Sequence, residues 1–404
     1  MRKLLIGTVS AAALAAPGMA LAQDTIKVGI LAAVEGTFAA GGKDSILNVD
    51  LALRQVNYTI DGKRIETVVV PTDTTPDTVV RQARRLVEQD GVDIILGPLS
   101  GSEGIAMRDF AKTIPGRTVI NGISGALETT WVDPAPNFFR FNLDGNQWGY
   151  GLGSYVVNEK GWTRVATVAA DYSFGYTNFM GFAVDFCKAG GEIVERFWVP
   201  LGSSDFGAVI AALPEDVDAI YLGVGGTDAI NFLNQYEQAG AETNLIGGTI
   251  MADQTVLTSK GRAKDALVGT PTSGPFAIDD PSPAWQDYVK LYQDTFPEAD
   301  RFPTPSLFGI GYYIATLAMI QALDAVDGDL SDGQAKFHAA LASLPLETPL
   351  GTVTLNENRQ ASGTVFVTEV VEDGQGGLTS VLKARVDNVT QTLGMTADEF
   401  RALG

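Results

Sequence analysis

The sequence holds one cysteine and one histidine in 404 residues, Cys187 and His338. A lone cysteine excludes an intramolecular disulfide. Together with a lone histidine, set in a helical pattern far from any hydroxyl loop, it gives a Ser-His triad or a zinc site little to be built from. Basic residues are scarce as well, 28 Lys and Arg against 48 Asp and Glu, for a formal net charge of −20. Nucleic-acid binding rests on cations that neutralise phosphate, so this balance argues against it, and equally against docking on an anionic membrane surface. It says little about a small ligand, because net charge governs solubility rather than a site. Cys187, in Phe186-Cys187-Lys188 near the end of a helical pattern, is expected to be a small packing residue. His338, in a helical pattern with Phe337, Ala340 and Leu341, is expected to be a solvated helix residue.

Sequence patterns that resemble catalytic or binding motifs are each incomplete. Ser100-Gly101-Ser102-Glu103-Gly104 lacks the first glycine of G-x-S-x-G and has no base to serve it. Gly97 to Gly104 has the span of a P-loop without its lysine. Gly223-Val224-Gly225 begins like a dinucleotide fingerprint, yet Asp228 stands at the third glycine. Asp327, Asp329 and Asp332 suggest a calcium loop whose twelfth position is His338 in place of glutamate. No catalytic residue, metal or cofactor is expected.

What is present begins with an address. Arg2 and Lys3, the apolar stretch Leu4 to Leu14 and the A-x-A site Ala20-Leu21-Ala22 form a signal peptide over residues 1–22. Cleavage after Ala22 would leave a mature exported chain starting at Gln23. The apolar part is shorter than the ~20 residues of a membrane span, and no later stretch reads as one.

From Thr25 the sequence alternates strand and helix. Ile26 to Leu31 reads as a strand, then a helix carries the stripe Ile46, Val49, Leu53 and Val56. Thr67 to Val70 is a second strand, and Thr75 with Pro76 starts a helix whose inner face is Val79, Ala83 and Leu86. Val92 to Leu96 is a strand buried on both faces; it breaks at Gly97-Pro98 into a loop of serine and glycine before a helical pattern at Ile105. Thr118 to Ile120 ends in a similar loop, Asn121 to Gly125. After Asn142 the alternation starts afresh, with strands at Val165 to Ala170, Ala219 to Leu222 and Leu245-Ile246, each ending in small residues. Phe179, Phe182, Ala183 and Phe186 form a core stripe. Pro271 to Pro283 reads as a return crossing, followed by helices at Trp285 to Phe296 and Ser306 to Val326 and by hairpin-like strands from Leu350. In open α/β sheets ligands bind beyond the carboxyl ends of the strands, where these small-residue loops lie. Ser100 could equally be a helix cap.

Two α/β lobes, an export signal and small-residue loops facing a cleft resemble the periplasmic solute-binding proteins of ABC importers, and more narrowly their leucine/isoleucine/valine-binding branch. The markers are Ile26-Lys27-Val28-Gly29-Ile30, Gly97-Pro98-Leu99-Ser100, Asp171-Tyr172-Ser173-Phe174-Gly175, Ser204-Asp205-Phe206, Gly309-Ile310-Gly311-Tyr312 and Pro349-Leu350-Gly351. The resemblance implies an α/β fold of two doubly wound lobes of the type I periplasmic-binding-protein architecture, joined by three hinge crossings, with the ligand in the cleft. The lobes would comprise 23–142 plus 272–349, and 143–271 plus 350–404. It implies that Ser100, Gly101, Ser102, Ile123, Ser124 and Gly125 meet a ligand carboxylate. Phe174 falls at an aromatic wall, Gly225 where amino-acid binders often carry tyrosine, and Thr249 where they carry the glutamate that holds an ammonium. Gly41 stands for a large aromatic, with Phe38 nearby, and Tyr172 adds to an apolar slot. The family's disulfide is absent: Asp73 and Ser100 lie near its positions.

These departures set the expected ligand. Thr249 brings no charge, and an unpaired buried ammonium is costly. Asp171, Asp228 or Asp253 are candidate substitutes, and the glycines at 41 and 225 should widen the site. The expected function is therefore a periplasmic receptor that delivers an aromatic or other non-amino carboxylate to an ABC importer. A branched-chain or other amino acid is the alternative, and a sensing protein without transport a further one. The expected partners are that carboxylate and a membrane permease, with no nucleic acid, and the chain is expected to be a monomer.

Overall fold

The structure, a computed structural model, describes residues 25–261 and 263–403; the expected leader at 1–22 lies outside them. Six strands, β1 (Thr25–Ala33), β2 (Thr59–Ile60), β3 (Lys63–Thr72), β4 (Ile94–Leu96), β5 (Thr118–Ile120) and β6 (Phe138–Phe139), form one sheet in the order β2-β3-β1-β4-β5-β6. Its pairs are parallel apart from the β2/β3 hairpin. Helices cover both faces, and the pleat sorts the side chains between them. Ile94 and Leu96 enter the core with Val49 and Leu53, while Ile95 faces Val79, Ala83 and Leu86. That two-sided burial is why β4 reads as a continuous apolar run.

The second sheet has nine strands. β7 (Arg164–Ala170), β8 (Glu192–Val199), β9 (Ala219–Gly223), β10 (Asn244–Gly247) and β11 (Pro271–Gly274) are parallel to one another. β12 (Leu346–Thr348), β13 (Gly351–Leu355), β14 (Ala361–Glu372) and β15 (Leu378–Val389) add antiparallel pairs, giving the order β12-β13-β14-β11-β10-β9-β7-β8 with β15 on β14. Residues 272–274, grouped by sequence with the first lobe, are hydrogen-bonded into the second sheet through β11.

The chain passes between the sheets after β6, after β11, and on the way through β12 and β13 to β14. At the first and third passages Arg140 pairs with Gln360, and the Arg140 side chain, 0% exposed, is the hub of the hinge. Its Nε–H donates to Gln360 Oε1, Nη1 to Ala126 O at 2.6 Å, and Nη2 to Thr130 Oγ1 at 2.6 Å and to Asp144 Oδ2 at 3.3 Å. Gln391, beyond β15, donates to Asp144 Oδ2 at 2.8 Å and to Thr130 Oγ1 at 3.0 Å. The last helix, Ala397–Arg401, then sets Phe400 edge-on against Trp131 at 5.2 Å between centroids, so the C-terminal segment returns to the first lobe.

Several expectations change in three dimensions. His338 is half-buried, with Nε2 2.8 Å from Thr118 Oγ1, and burial lowers its pKa; it seals the lower end of β5 instead of facing water. Cys187 is exposed, because the helix Ser173–Lys188 turns Phe182 and Phe186 inward and leaves position 187 outside. The helix after β4 begins at Gly101, one turn before Ile105. One helix among the described residues, Leu307–Asp324, is long and apolar enough to cross a membrane, but 78% of it is buried inside the fold. Its close approach to the helix Ala39–Gln55 uses glycine: a Cβ at Gly41 would overlap the Phe308 ring, and one at Gly309 would overlap Asp44 and Asn48.

Two stability predictions follow from the buried charges. Asp144→Ala leaves the Arg140 guanidinium enclosed without its anion, and should cost about 3–5 kcal/mol in urea unfolding. Asp294→Ala, which removes only the exposed pair with Lys290, should stay within about 0.5 kcal/mol. Glu103 and Asp44 titrate high because burial disfavours their charged forms, Glu103 moving from 4.5 to about 7 and Asp44 from 3.8 to about 6. A carboxyl whose folded pKa lies above its unfolded value favours the fold fully below the unfolded pKa, and that contribution is lost as pH rises through the folded one. Melting temperature should therefore fall between about pH 4 and pH 7. Glu103→Gln, which keeps the helix cap, should flatten that fall; an unchanged slope would refute the assignment.

Candidate ligand-binding cleft

Two helices begin face to face where the lobes meet. The first, Gly101–Lys112, is capped by a reciprocal pair: Ser100 Oγ accepts from Glu103 N–H at 3.3 Å, and Glu103 Oε2 accepts from Ser100 N–H at 3.0 Å. Ser100 Oγ also donates to Thr74 O at 2.9 Å, tying together the two loops where the resemblance puts a disulfide. The Ser100 hydroxyl is thus spent on structure. The N–H groups of Gly101 and Ser102, in the first turn, have no acceptor within their helix. The second helix, Ser173–Lys188, starts from the other lobe with no side-chain cap. Ser102 Oγ and Ser173 Oγ approach to 3.2 Å across the gap. Gly101 is what permits this: a Cβ there would come within 2.8 Å of Phe174 N.

Beside this junction lies a narrow cavity of about 20 Å³. Phe38, Ser100, Gly101, Ile123, Gly125, Tyr172 and Phe174, all singled out in the sequence, line it. So do Leu99, Trp148, Ile250, Leu307 and Phe308, which were not. Five of these residues are aromatic. The Phe38 centroid is 5.5 Å from Phe308 and 6.5 Å from Tyr172, Tyr172 is 6.1 Å from Phe174, and Phe174 is 6.0 Å from Trp148, nearly edge-on. The wall carries no carboxylate and no cation. Burial pushes the Tyr172 phenol far above its usual range, so it stays neutral. Among the described residues no group of three or more His, Cys, Asp or Glu side chains could hold a metal ion.

The remaining candidates lie elsewhere. Ser102 sits at the rim, against Ser173. Ser124 turns its hydroxyl away from the cleft, into the space left by Gly104. Thr249 is held by Asn178, whose Nδ2 donates to Thr249 Oγ1 at 3.0 Å and whose Oδ1 accepts from Thr249 N–H at 3.1 Å. Gly225 precedes the helix Gly226–Gln238 and lies under Ile250, which a Cβ would meet at 2.8 Å. The expectation of a widened site is therefore overturned: Phe308 fills the room at Gly41 and Ile250 that at Gly225. Neither could be read from spacing, because each arrives from a distant stretch.

None of the three aspartates reaches the cavity wall. Asp171 is exposed and accepts from Tyr176 OH. Asp228 accepts from Thr37 Oγ1 at 3.0 Å and Gly202 N–H at 2.7 Å. Asp253 accepts from Leu307 N–H at 2.7 Å and Thr255 N–H at 3.0 Å. The bonds from Thr37 and Leu307 run between lobes, as do Thr227 N–H to Thr37 O at 3.1 Å and Leu127 N–H to Thr177 Oγ1 at 3.2 Å. The cleft is closed, and two of the aspartates are spent on closing it.

Comparison with known proteins agrees with this architecture. A family profile described as "Periplasmic binding protein" matches residues 25–375. The Leu/Ile/Val-binding protein homolog 6 of Brucella melitensis is 22% identical over 383 residues, covering 93% of this chain and 95% of the relative. The Leu/Ile/Val-binding protein of Escherichia coli is 25% identical over 380 residues, covering 90% and 95%. A solute-binding protein of an ABC transporter from Rhodopseudomonas palustris, solved in complex with 3,4-dihydroxybenzoic acid, superposes with a TM-score of 0.82 at 26% identity, covering 91% of this chain and 99% of that one. With two wound lobes closing on a cleft at their strand ends, the chain belongs to the periplasmic binding protein family and is a solute-binding protein of the ABC-transporter type.

Proposed function

We propose that this protein is a periplasmic receptor that traps a small aromatic carboxylate between its lobes and hands it to the permease of an ABC importer. The observation that carries the reading is the uncharged five-ring cavity at the meeting point of two helix N-termini. A carboxylate there gains hydrogen bonds from first-turn N–H groups and the favourable end of both helix dipoles, with Ser102 and Ser173 as further donors. The aromatic faces take the ring. The bound 3,4-dihydroxybenzoic acid of the Rhodopseudomonas palustris protein is a ligand of this class. The names of the curated relatives favour an amino acid instead. Against that, an ammonium in this cavity would meet rings and no carboxylate, and burying it unpaired is expensive. Binding, not turnover, is the proposed activity.

Calorimetry with 3,4-dihydroxybenzoate, phenylpropanoate, phenylalanine and leucine tests the ligand class. The two acids without an amino group should bind at least about tenfold more tightly, or about 1.4 kcal/mol, than the amino acids. Tighter binding of phenylalanine or leucine would overturn the reading. The serines provide a second test on whichever acid binds. A hydrogen bond to a charged group contributes about 1.5–3 kcal/mol, so Ser102→Ala should weaken affinity about ten- to a hundredfold. Ser124→Ala, whose hydroxyl faces Gly104, should leave it unchanged.

A further inference from the structure

A second and larger cavity, of about 230 Å³, lies behind the hinge. Ile123 and Trp148 separate it from the aromatic cavity and line both. Its walls come from each part of the molecule: Ile310 and Ile314 from the helix of the first lobe, Phe141 and Pro275 from two crossings, and Ser362 to Thr364 from β14. No ionisable side chain lines it; the amides of Asn142 and Asn388 and the hydroxyls of Thr352, Thr354, Ser362 and Thr364 supply polarity without charge, and Thr352, Thr354 and Asn388 are exposed at its mouth. The partition itself carries an unused donor. Trp148 is 1% exposed and its Nε1–H has no acceptor. Its Cζ3 edge lies against Gly125 on the cleft side, which turns the N–H, at the opposite end of the indole, away from the carboxylate cavity.

A buried donor without a partner is rare and marks a place where an acceptor belongs. Walls with hydrogen-bonding groups but no ionisable side chain give an ion no charged partner, so they suit a neutral molecule better. We infer that the cavity behind the hinge is a second ligand site, for an uncharged molecule with an apolar part and a hydroxyl or carbonyl oxygen. Both lobes and the crossings build its walls, so its occupancy is linked thermodynamically to closure of the cleft. The inference does not depend on which solute the cleft takes.

Gly363 gives a clean way to fill this site. A Cβ there meets only Leu143, at 3.5–4.0 Å, and the backbone is not in the left-handed region, so Gly363→Leu puts a side chain into the cavity without strain. The probe is 1-hexanol, with hexanoate as its charged counterpart, read by the methyl resonances of ¹³C-labelled isoleucine. Hexanol should shift Ile310 and Ile314 along a saturable curve and leave Ile250, which lines only the cleft cavity, in place. Hexanoate should not move Ile310 or Ile314. In Gly363→Leu the hexanol response should be lost. A wild-type protein without saturable shifts at Ile310 and Ile314 overturns the site whatever the variant does. Equal shifts from hexanoate, or shifts that persist in folded Gly363→Leu, overturn it as well.

Discussion

The buried guanidinium of Arg140 is the constraint on which the rest of the molecule depends. A charge enclosed in a hinge persists only if its donors are used, and Arg140 uses them on groups from three separate stretches: Gln360, Ala126 with Thr130, and Asp144. Burial draws its pKa down to about 10, which leaves it charged at neutral pH. Two of the partners belong to crossings and their flanks. A third, the carbonyl of Ala126, fixes the loop whose preceding residues, Ile123 and Gly125, line the ligand cavity. One side chain therefore ties the hinge and the floor of the cleft together.

Closure in turn depends on atoms that are absent. Glycine at 101 lets the second lobe's helix come down on the first lobe's helix N-terminus, and glycine at 226 lets the backbone at Thr37 approach a third. Into the gap left at Gly41 the fold inserts a ring from a distance. Phe308 comes from a helix more than 200 residues after Phe38, yet the two centroids lie 5.5 Å apart. The site is neutral because Asp228 and Asp253 are turned to the inter-lobe bonds at Thr37 and Leu307. The charge of both aspartates is spent on bonds between the lobes.

Much of this was legible before any coordinates. The β-branched run ending at Leu96, the stripe of Val79, Ala83 and Leu86, and the small-residue loops at strand ends all obey local periodicity, and local rules decide them. The resemblance then named the loops around Ser100 and Ile123 and the aromatic at Phe174, which lie on one wall. Spacing failed where a decision was tertiary. Ser100 and Ser124 have similar surroundings in sequence to Ser102, but one hydroxyl caps a helix and the other faces Gly104. Cys187 and His338 were misplaced for a related reason: one residue of phase on a helix separates an inward from an outward side chain.

The amino-acid sequence by itself determined the two wound sheets and the family, because alternation and motif order are properties of the chain. Only the tertiary structure decided the width and charge of the cleft. Whether a glycine opens space depends on what packs over it, and Gly41 and Gly225 lie under Phe308 and Ile250. Whether an aspartate meets a ligand depends on which backbone N–H reaches it first, and for Asp253 that is Leu307, 54 residues away.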